Sequence, residues 1–310
     1  MNYRSWCVPL IAAALCCVCA SCAGSDEDIT LQGAGATLPA PLYKRWFLEY
    51  YKQHPEVRVN YQAIGSGAGI RQFTEGLVHF GASDSAMTDK EMEKIPSGVQ
   101  LLPMTAGSIA ICYNLPGAPE LRLSRQVLVD ILLGNIEVWN DAVIAADNPS
   151  ISLPDMPITF IRRSEGSGTT FAFTNHLSAI SPEWKNDPGV GKTVVWKRGI
   201  GAKGNSGVAA LIQQTPGAIG YVETGYAELS HLPMAFIQNK AGKFLQPTPE
   251  HSQAALAGVA LPENLRVWIT DPPGEDAYPI ITYTWILCQK QYADPKVSQT
   301  LKQVLRYGLT

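Results

Sequence analysis

Apolar positions along the chain follow two alternating periods. Short runs with the two-residue period of a strand alternate with longer runs in which apolar residues recur at helical spacing. The pattern predicts strands at 57–64, 79–82, 158–161 and 220–222. It predicts a first helix that starts at Thr37, and further helices at 70–77, 123–133, 169–180, 208–214 and 295–307. Alternation of this kind predicts an α/β protein with largely parallel sheets.

Three of the predicted helices begin with a glycine-rich turn that also carries a hydroxyl side chain. These stretches lie at 33–47, 64–73 and 163–173, each between a strand and a helix, and Thr37 is expected to cap the first helix. Free N–H groups and partial positive charge at a helix N-terminus attract anions. Ligands of parallel sheets bind at the carboxyl ends of strands. We therefore expect the three turns to converge on one anion.

The third turn carries the most specific chemistry. Arg163 precedes it, and its guanidinium offers a planar fork of donors suited to an oxyanion. Ser167 and Thr169 add hydroxyls, Gly168 permits close backbone approach, and Glu165 is placed to hold Arg163 by a salt link. A surface helix cap beside a solvated arginine is the alternative interpretation. In the second turn, Ser66 lies between two glycines, which an ordinary glycine-rich turn also explains.

Asp84 follows a short predicted strand. A carboxylate beside a bound anion needs an explanation, because like charges repel. An ionised Asp84 can accept a hydrogen bond from an anion that still carries a proton, as hydrogenphosphate does. Sulfate would leave the carboxylate unpaired, which is costly. Asp84 is therefore expected to select a protonated oxyanion, with service as a helix N-cap as the alternative.

Composition narrows the possible functions. The 310 residues are 46% hydrophobic, enough for one large domain or two ordinary ones, and the net charge is −3. Nucleic-acid binding is not expected, because it calls for a basic surface. An anion must therefore be held by local geometry.

The N-terminus has the features of an export signal. Arg4 precedes an apolar run at 8–20, and small residues surround Cys22. We expect residues 1–21 to be a signal peptide of the lipoprotein type, Cys22 to carry the lipid and residues 22–28 to form a tether. Cleavage near Ala20 or Ala23 by an ordinary signal peptidase is the alternative. No later apolar run is long enough to span a bilayer.

Patterns typical of enzymes are incomplete. The sequence has no Gly-x-Ser-x-Gly motif. Residues 191–193 resemble the end of a nucleotide phosphate-binding loop, but the first glycine that this loop requires is replaced by Asn186. Its five histidines have no metal-ligand spacing. We expect no catalytic group, no metal and no cofactor.

Eight segments, taken in order, resemble the phosphate-binding proteins of Pst-type ABC phosphate importers. They read GAGATLPAPLYKRW, YQAIGSGAGIRQF, FGASD, LLGNIEVWND, RSEGSGTTFAFT, WKRGIGAKGNSGVAA, GAIGYVE and YPIITYTWIL. The resemblance implies a two-lobed periplasmic-binding-protein type II fold with two crossover strands. Lobe one would comprise 29–111 and 279–310, and lobe two 112–278.

The resemblance also implies a phosphate site shared between the lobes. Its implied residues are Thr37, Leu38 through its backbone, Ser66, Asp84, Arg163, Ser167, Gly168 and Thr169. Leu38 stands where phenylalanine is common, and Glu165, a supporting residue, where aspartate is common. The lobe arrangement would bring Cys112 near Cys288; a disulfide and two free thiols both remain open.

The implied function is an exported receptor at the cell envelope that captures inorganic phosphate and delivers it to a membrane permease driven by an ATPase. A receptor for sulfate, molybdate or an organophosphate is an alternative within the same class. A secreted phosphatase and a phosphate sensor without a transport role are alternatives of other kinds.

Overall fold

The structure is a computed structural model that describes residues 28–117 and 120–310. The predicted signal peptide at 1–21, the lipidation site Cys22 and all of the predicted tether before Asp28 lie outside the described residues. Among the described residues, no helix combines the length and apolar character needed to cross a membrane.

The described residues form eleven strands and eleven helices. The strands are β1 (Ile29–Gly35), β2 (Val57–Ala63), β3 (Phe80–Ser83), β4 (Val99–Asn114), β5 (Arg122–Leu123), β6 (Thr159–Arg163), β7 (Ile200–Ala202), β8 (Ala218–Glu223), β9 (Phe236–Gln238), β10 (Phe244–Leu245) and β11 (Ile281–Gln289). The helices are α1 (Ala40–Gln53), α2 (Ser66–Thr74), α3 (Asp89–Met92), α4 (Arg125–Leu133), α5 (Ala142–Asp147), α6 (Gly168–Ile180), α7 (Pro182–Asn186), α8 (Gly204–Gln214), α9 (Thr224–Leu229), α10 (Pro249–Leu256) and α11 (Pro295–Leu309).

One eight-stranded sheet runs through the molecule in the order β2-β1-β3-β11-β4-β8-β6-β7, and β5, β9 and β10 form a small second sheet. The long strand β4 joins two parts of the large sheet. Its residues 99–108 pair with β11, and residues 109–114 pair with β8. We call β1–β3, β11 and residues 99–108, with the helices packed on them, the first sheet half. The rest of the sheet with its helices is the second sheet half.

Strand directions make the carboxyl ends of the two sheet halves face each other. Strands β1, β2 and β3 are mutually parallel, and both β3 and β4 run antiparallel to β11, so β1–β3 share the direction of β4. They therefore point toward the second sheet half. Strand β8 runs antiparallel to β4, and β6 and β7 are parallel to β8, so these three point back toward the first sheet half.

Two-residue alternation along the strands divides the apolar side chains between the faces of the sheet. In β11, Ile286 packs with Tyr43 of α1 and Leu301 of α11, whereas Trp285 packs with Phe73 of α2 on the opposite face. The second sheet half repeats this division. Its larger core contains residues of α4 and α6 and alternate residues of β4 and β8, and its smaller core is formed around α8. Each sheet half thus has apolar cores of its own.

Most predicted elements are present, but several helix starts differ. Helix α2 begins at Ser66 and α8 at Gly204, each four residues before the predicted start. The prediction that Thr37 caps α1 is wrong, because Pro39 occupies the cap position without a side-chain hydrogen bond. The Thr37 hydroxyl instead accepts a hydrogen bond from Asn205 of α8, at 2.9 Å.

The expected proximity of Cys112 and Cys288 is also wrong. Both are buried free thiols, and they lie in cores of different sheet halves. Cys288 is paired with Gln100 of β4, and Cys112 lies twelve residues farther along that strand. At about 3.4 Å per residue the separation is roughly 40 Å, far beyond the reach of a disulfide.

Candidate functional site

Four strand ends lead directly into helix N-termini at the junction of the two sheet halves. Strands β1 and β2 lead into α1 and α2 on the first side, and β6 and β7 lead into α6 and α8 on the second. Because the two sets of strands point toward each other, the N-terminal ends of these four helices face one common space. Some of their N–H groups are already bonded, since the Gly204 N–H donates to Glu165 Oε1 at 3.0 Å. The three predicted turns therefore lie together at this junction, and α8 supplies a fourth. Their convergence on one anion stays a prediction.

The second and third turns contact each other through their backbones. The Gly67 N–H donates to the Gly166 carbonyl at 2.9 Å across the junction. A Cβ atom on Gly168 would lie 2.5 Å from Asp84 Cβ and 2.6 Å from Ser66 Oγ. Only glycine fits at position 168, because any side chain would push the two sheet halves apart.

Asp84 is the carboxylate of this junction and has an unpaired oxygen. Its side chain is 1% exposed, and Oδ1 has no hydrogen-bond partner among the described residues. Burial raises the pKa of Asp84 to about 7; the Thr284 hydroxyl beside the carboxyl, the charge of Arg163 and the Ser66 hydroxyl only partly offset that rise. The buried Thr284 hydroxyl likewise has no hydrogen-bond partner at normal distance among the described residues. Its backbone N–H donates to Ser66 Oγ at 3.2 Å.

Asp84 is not a helix N-cap. The next helix, α3, begins five residues later, and its N-cap is Thr88. A buried acceptor without a donor is costly in a folded protein, so the Asp84 carboxyl oxygen is suited to receive a hydrogen bond from a ligand.

Arg163 is the buried cation of the junction. It is 3% exposed, which excludes the alternative of a solvated surface arginine. The expected salt link is present: Nε donates to Glu165 Oε1 at 2.9 Å, and Nη2 also contacts this oxygen. Burial acts to raise the pKa of Glu165, but the hydrogen bonds and charge of Arg163 outweigh it and the pKa is lowered. Glu165 is therefore ionised and fixes the guanidinium plane.

The other residues predicted in the third turn lie beside Arg163. Ser167 is buried and caps α6, since its hydroxyl accepts from the Thr170 N–H at 3.1 Å. The buried Thr169 hydroxyl accepts from Arg163 Nη1 at 3.3 Å. The start of α6 lies at the junction, because Gly168 closely approaches Asp84 and Ser66 of the first sheet half.

The first turn brings Thr37 and Leu38 to the same place. Thr37 is 5% exposed, and its carbonyl accepts from the Tyr226 hydroxyl at 2.6 Å. The Leu38 side chain is buried in the core of the second sheet half, where Ile109 is another member. The side chain of Leu38 therefore faces away from any ligand, so only its backbone is available for binding.

Asn205 is a site residue that the sequence analysis missed. It is fully buried, and its Nδ2 donates to Thr37 Oγ1 at 2.9 Å and to Thr169 Oγ1 at 3.4 Å. It thus joins hydroxyls of both sheet halves. The glycines around it, at 204 and 207, repeat the strand–turn–helix pattern of the other turns and are the signal that could have revealed it.

Glu223 is a second carboxyl near the junction. Burial raises its pKa to about 7, and the nearby charge of Asp84 adds to the effect of burial.

Within the ranges that the structure describes, no cluster of His, Cys, Asp and Glu side chains could hold a metal ion. One buried guanidinium, one unpaired carboxyl oxygen and four helix N-termini together suit a tetrahedral oxyanion that carries a proton.

Comparison with known sequences gives matches over nearly the whole chain. A family model described as the PBP superfamily domain matches residues 21–310. The chain is 42% identical over 278 residues to the phosphate-binding protein PstS of Pasteurella multocida, a match that covers 88% of this chain and 79% of that protein. It is 41% identical over 282 residues to the PstS of Haemophilus influenzae, covering 90% of this chain and 83% of that protein.

Comparison with solved structures identifies the fold. A high-affinity periplasmic phosphate-binding protein, PfluDING, solved with bound phosphate, matches with a TM-score of 0.73 and 22% identity over 89% of this chain and 84% of that chain. A likeness at this identity shows a shared fold. The predicted fold class, α/β of the type II periplasmic-binding kind, is thus confirmed.

Proposed function

This chain belongs to the family of PstS phosphate-binding proteins, and from that premise we propose that it captures one inorganic phosphate between its two sheet halves and delivers it to an ABC importer. The names of its relatives support a receptor and not an enzyme. Phosphate is the ligand in this proposal, and no cofactor takes part.

The unpaired Oδ1 of Asp84 is the observation that carries the choice of phosphate. Hydrogenphosphate presents a hydroxyl that can donate to this oxygen, whereas sulfate presents none. Arg163, the hydroxyls of Thr37, Ser66, Ser167 and Thr169, and the backbone at Leu38 and Gly168 would bind the remaining oxygens. A site built around a specific hydrogen bond rejects an analogue that lacks it by roughly 10⁴–10⁵.

Capture would proceed by closure of two lobes, residues 29–111 with 279–310 and residues 112–278. Two chain segments run side by side between them: the Ile109 N–H donates to the Ile280 carbonyl at 2.8 Å, and the Tyr278 hydroxyl donates to the Ile109 carbonyl at 2.9 Å. Rotation about these segments would open the cleft. Phosphate would then favour the closed state, because residues of both lobes bind it only there.

The remaining parts of the proposal concern location and partners. Export by the signal at 1–21 and attachment through a lipid on Cys22 would hold the receptor at the membrane surface. The partners would be the permease and ATPase subunits of the importer, as the family membership supports.

Calorimetric titration of the purified protein with phosphate and with sulfate tests this proposal. At pH 8, above the pKa of about 7 for Asp84, we expect one tight phosphate site per chain and no response to sulfate. Equal binding of sulfate would support a receptor for fully deprotonated oxyanions instead. Release of phosphate from a phosphoester would support the phosphatase alternative.

A further inference from the structure

An ion pair between Lys192 and Glu91 joins the two sheet halves outside the residues assigned to the anion. Arg266 also pairs with Asp89 of α3, at 2.7 Å, but the Asp89 side chain is 79% exposed. Lys192 Nζ lies 2.7 Å from Glu91 Oε1. Glu91 belongs to α3 in the first sheet half, and Lys192 belongs to the segment 187–199 in the second. The two side chains are 23% and 25% exposed, so most of each is shielded from solvent.

The Glu91 carboxylate is fixed before it meets the lysine. Its Oε2 accepts from the Thr88 N–H at 2.9 Å and from the Thr88 hydroxyl at 3.1 Å, while the Glu91 N–H donates to Thr88 Oγ1. This capping box leaves Oε1 free for Lys192. Burial acts to raise the pKa of Glu91, but the hydrogen bonds of Lys192 and Thr88 outweigh it and the pKa is lowered. The carboxylate is therefore ionised.

Lys192 is fixed to the third binding turn through its backbone. Its carbonyl accepts from the Ser167 N–H at 2.9 Å, directly at the cap of α6. The preceding Gly191 N–H donates to the buried Thr174 hydroxyl of α6 at 3.2 Å. The lysine that reaches across the junction is thus held against the same turn that presents Arg163 and Ser167.

We propose that Lys192 and Glu91 form a closure latch, a positioning pair that slows phosphate release without touching the anion. This inference rests on the proposed function, because it concerns how long the captured phosphate stays bound. The pair joins different sheet halves and so exists only while they are together. Loss of the pair lowers the population of the closed state, and apparent affinity falls in proportion.

The latch predicts a specific kinetic signature. The pair forms after phosphate has entered, so its loss should accelerate release and leave the association rate nearly unchanged. We expect the dissociation rate to rise up to about fivefold, because an ion pair of this kind contributes up to about 1 kcal/mol and 1.4 kcal/mol corresponds to tenfold. Salt should accelerate release from the natural protein and have little effect on variants without the pair.

The experiment measures the rate of phosphate release from five variants. Each protein is loaded with labelled phosphate and then mixed with excess unlabelled phosphate. Lys192→Met and Glu91→Gln remove the charges singly, and Glu91→Gln keeps an oxygen for the capping box. The double variant should release no faster than the faster single variant, and Lys192→Arg should restore slow release. Lys197→Met is the matched control, since Lys197 lies in the same segment but pairs with the exposed Asp187 of its own sheet half.

Unchanged release from Lys192→Met and Glu91→Gln, in a natural protein that binds phosphate, would overturn the latch and leave the proposed function intact. Additive effects of the two substitutions would also overturn it, since the residues would then act separately. If the natural protein does not bind phosphate, the proposed function fails and the latch fails with it. Thermal unfolding of each variant separates faster release from damage to the fold.

Discussion

Asp84→Asn is the perturbation that most sharply tests the selectivity of the site. The carboxyl is 1% exposed, and Oδ1 has no partner among the residues that the structure describes. A hydrogen bond to a buried charged group contributes roughly 1.5–3 kcal/mol, and 1.4 kcal/mol corresponds to tenfold in affinity. Phosphate binding should therefore weaken roughly 10- to 100-fold. Sulfate should gain affinity, because the amide Nδ2 of asparagine can donate to it.

The assay is calorimetric titration of both proteins with both anions, and the quantity compared is the ratio of the phosphate and sulfate dissociation constants. Asp276→Asn is the control, since that carboxylate is exposed and pairs with Lys243 at the surface. A variant of Asp84 that keeps the full preference for phosphate would refute the role of the carboxylate as acceptor of the phosphate proton.

Asp84→Asn should weaken phosphate binding but should stabilise the ligand-free fold. Because burial raises the pKa of Asp84 from 3.8 to about 7, the folded chain holds a proton that the unfolded chain has lost between those values. The folded state therefore loses stability as pH rises through that window. Ligand-free Asp84→Asn should gain stability relative to the natural protein between about pH 4 and pH 7. An equal difference at both ends of that window would contradict the raised pKa.

Three further substitutions test other parts of the site. Gly168→Ala should weaken phosphate binding at least tenfold in calorimetric titration, because the new Cβ would lie 2.5 Å from Asp84 Cβ. Gly258→Ala is the control and should not weaken binding, because the space around Gly258 is open. Asn205→Ala removes a donor to two threonine hydroxyls and should weaken binding about tenfold; unchanged affinity would contradict its bridging role. Glu223→Gln should stabilise the ligand-free protein against urea near pH 8 but not near pH 4, because burial raises the pKa of Glu223 to about 7. An equal gain in stability at both pH values would contradict the raised pKa.

The sequence predicted the parts of the site that depend on local pattern. Glycine and hydroxyl residues between a strand and a helix identified the turns that contain Ser66 and Arg163, since strand ends and helix starts can be located from periodicity. The chemistry of hydrogenphosphate suggested the acceptor role of Asp84. The structure adds the unpaired oxygen of its carboxyl.

The sequence could not reveal features that depend on the packing of distant segments. Asn205 was missed because the apolar pattern of α8 becomes clear only from position 208, after the polar turn that begins the helix. The hydroxyl of Thr37 suits a local cap, but Asn205 from the other sheet half binds it. The separation of Cys112 from Cys288 depends on the sixteen-residue length of β4 and on its register with β11, neither of which periodicity determines.

A crystal structure of the protein grown with phosphate tests the central claim most directly. We expect one phosphate at the junction of the sheet halves, with Asp84 Oδ1 and the Arg163 guanidinium within hydrogen-bond distance of its oxygens. A phosphate bound elsewhere, or a junction that stays empty at saturating phosphate, would contradict the account.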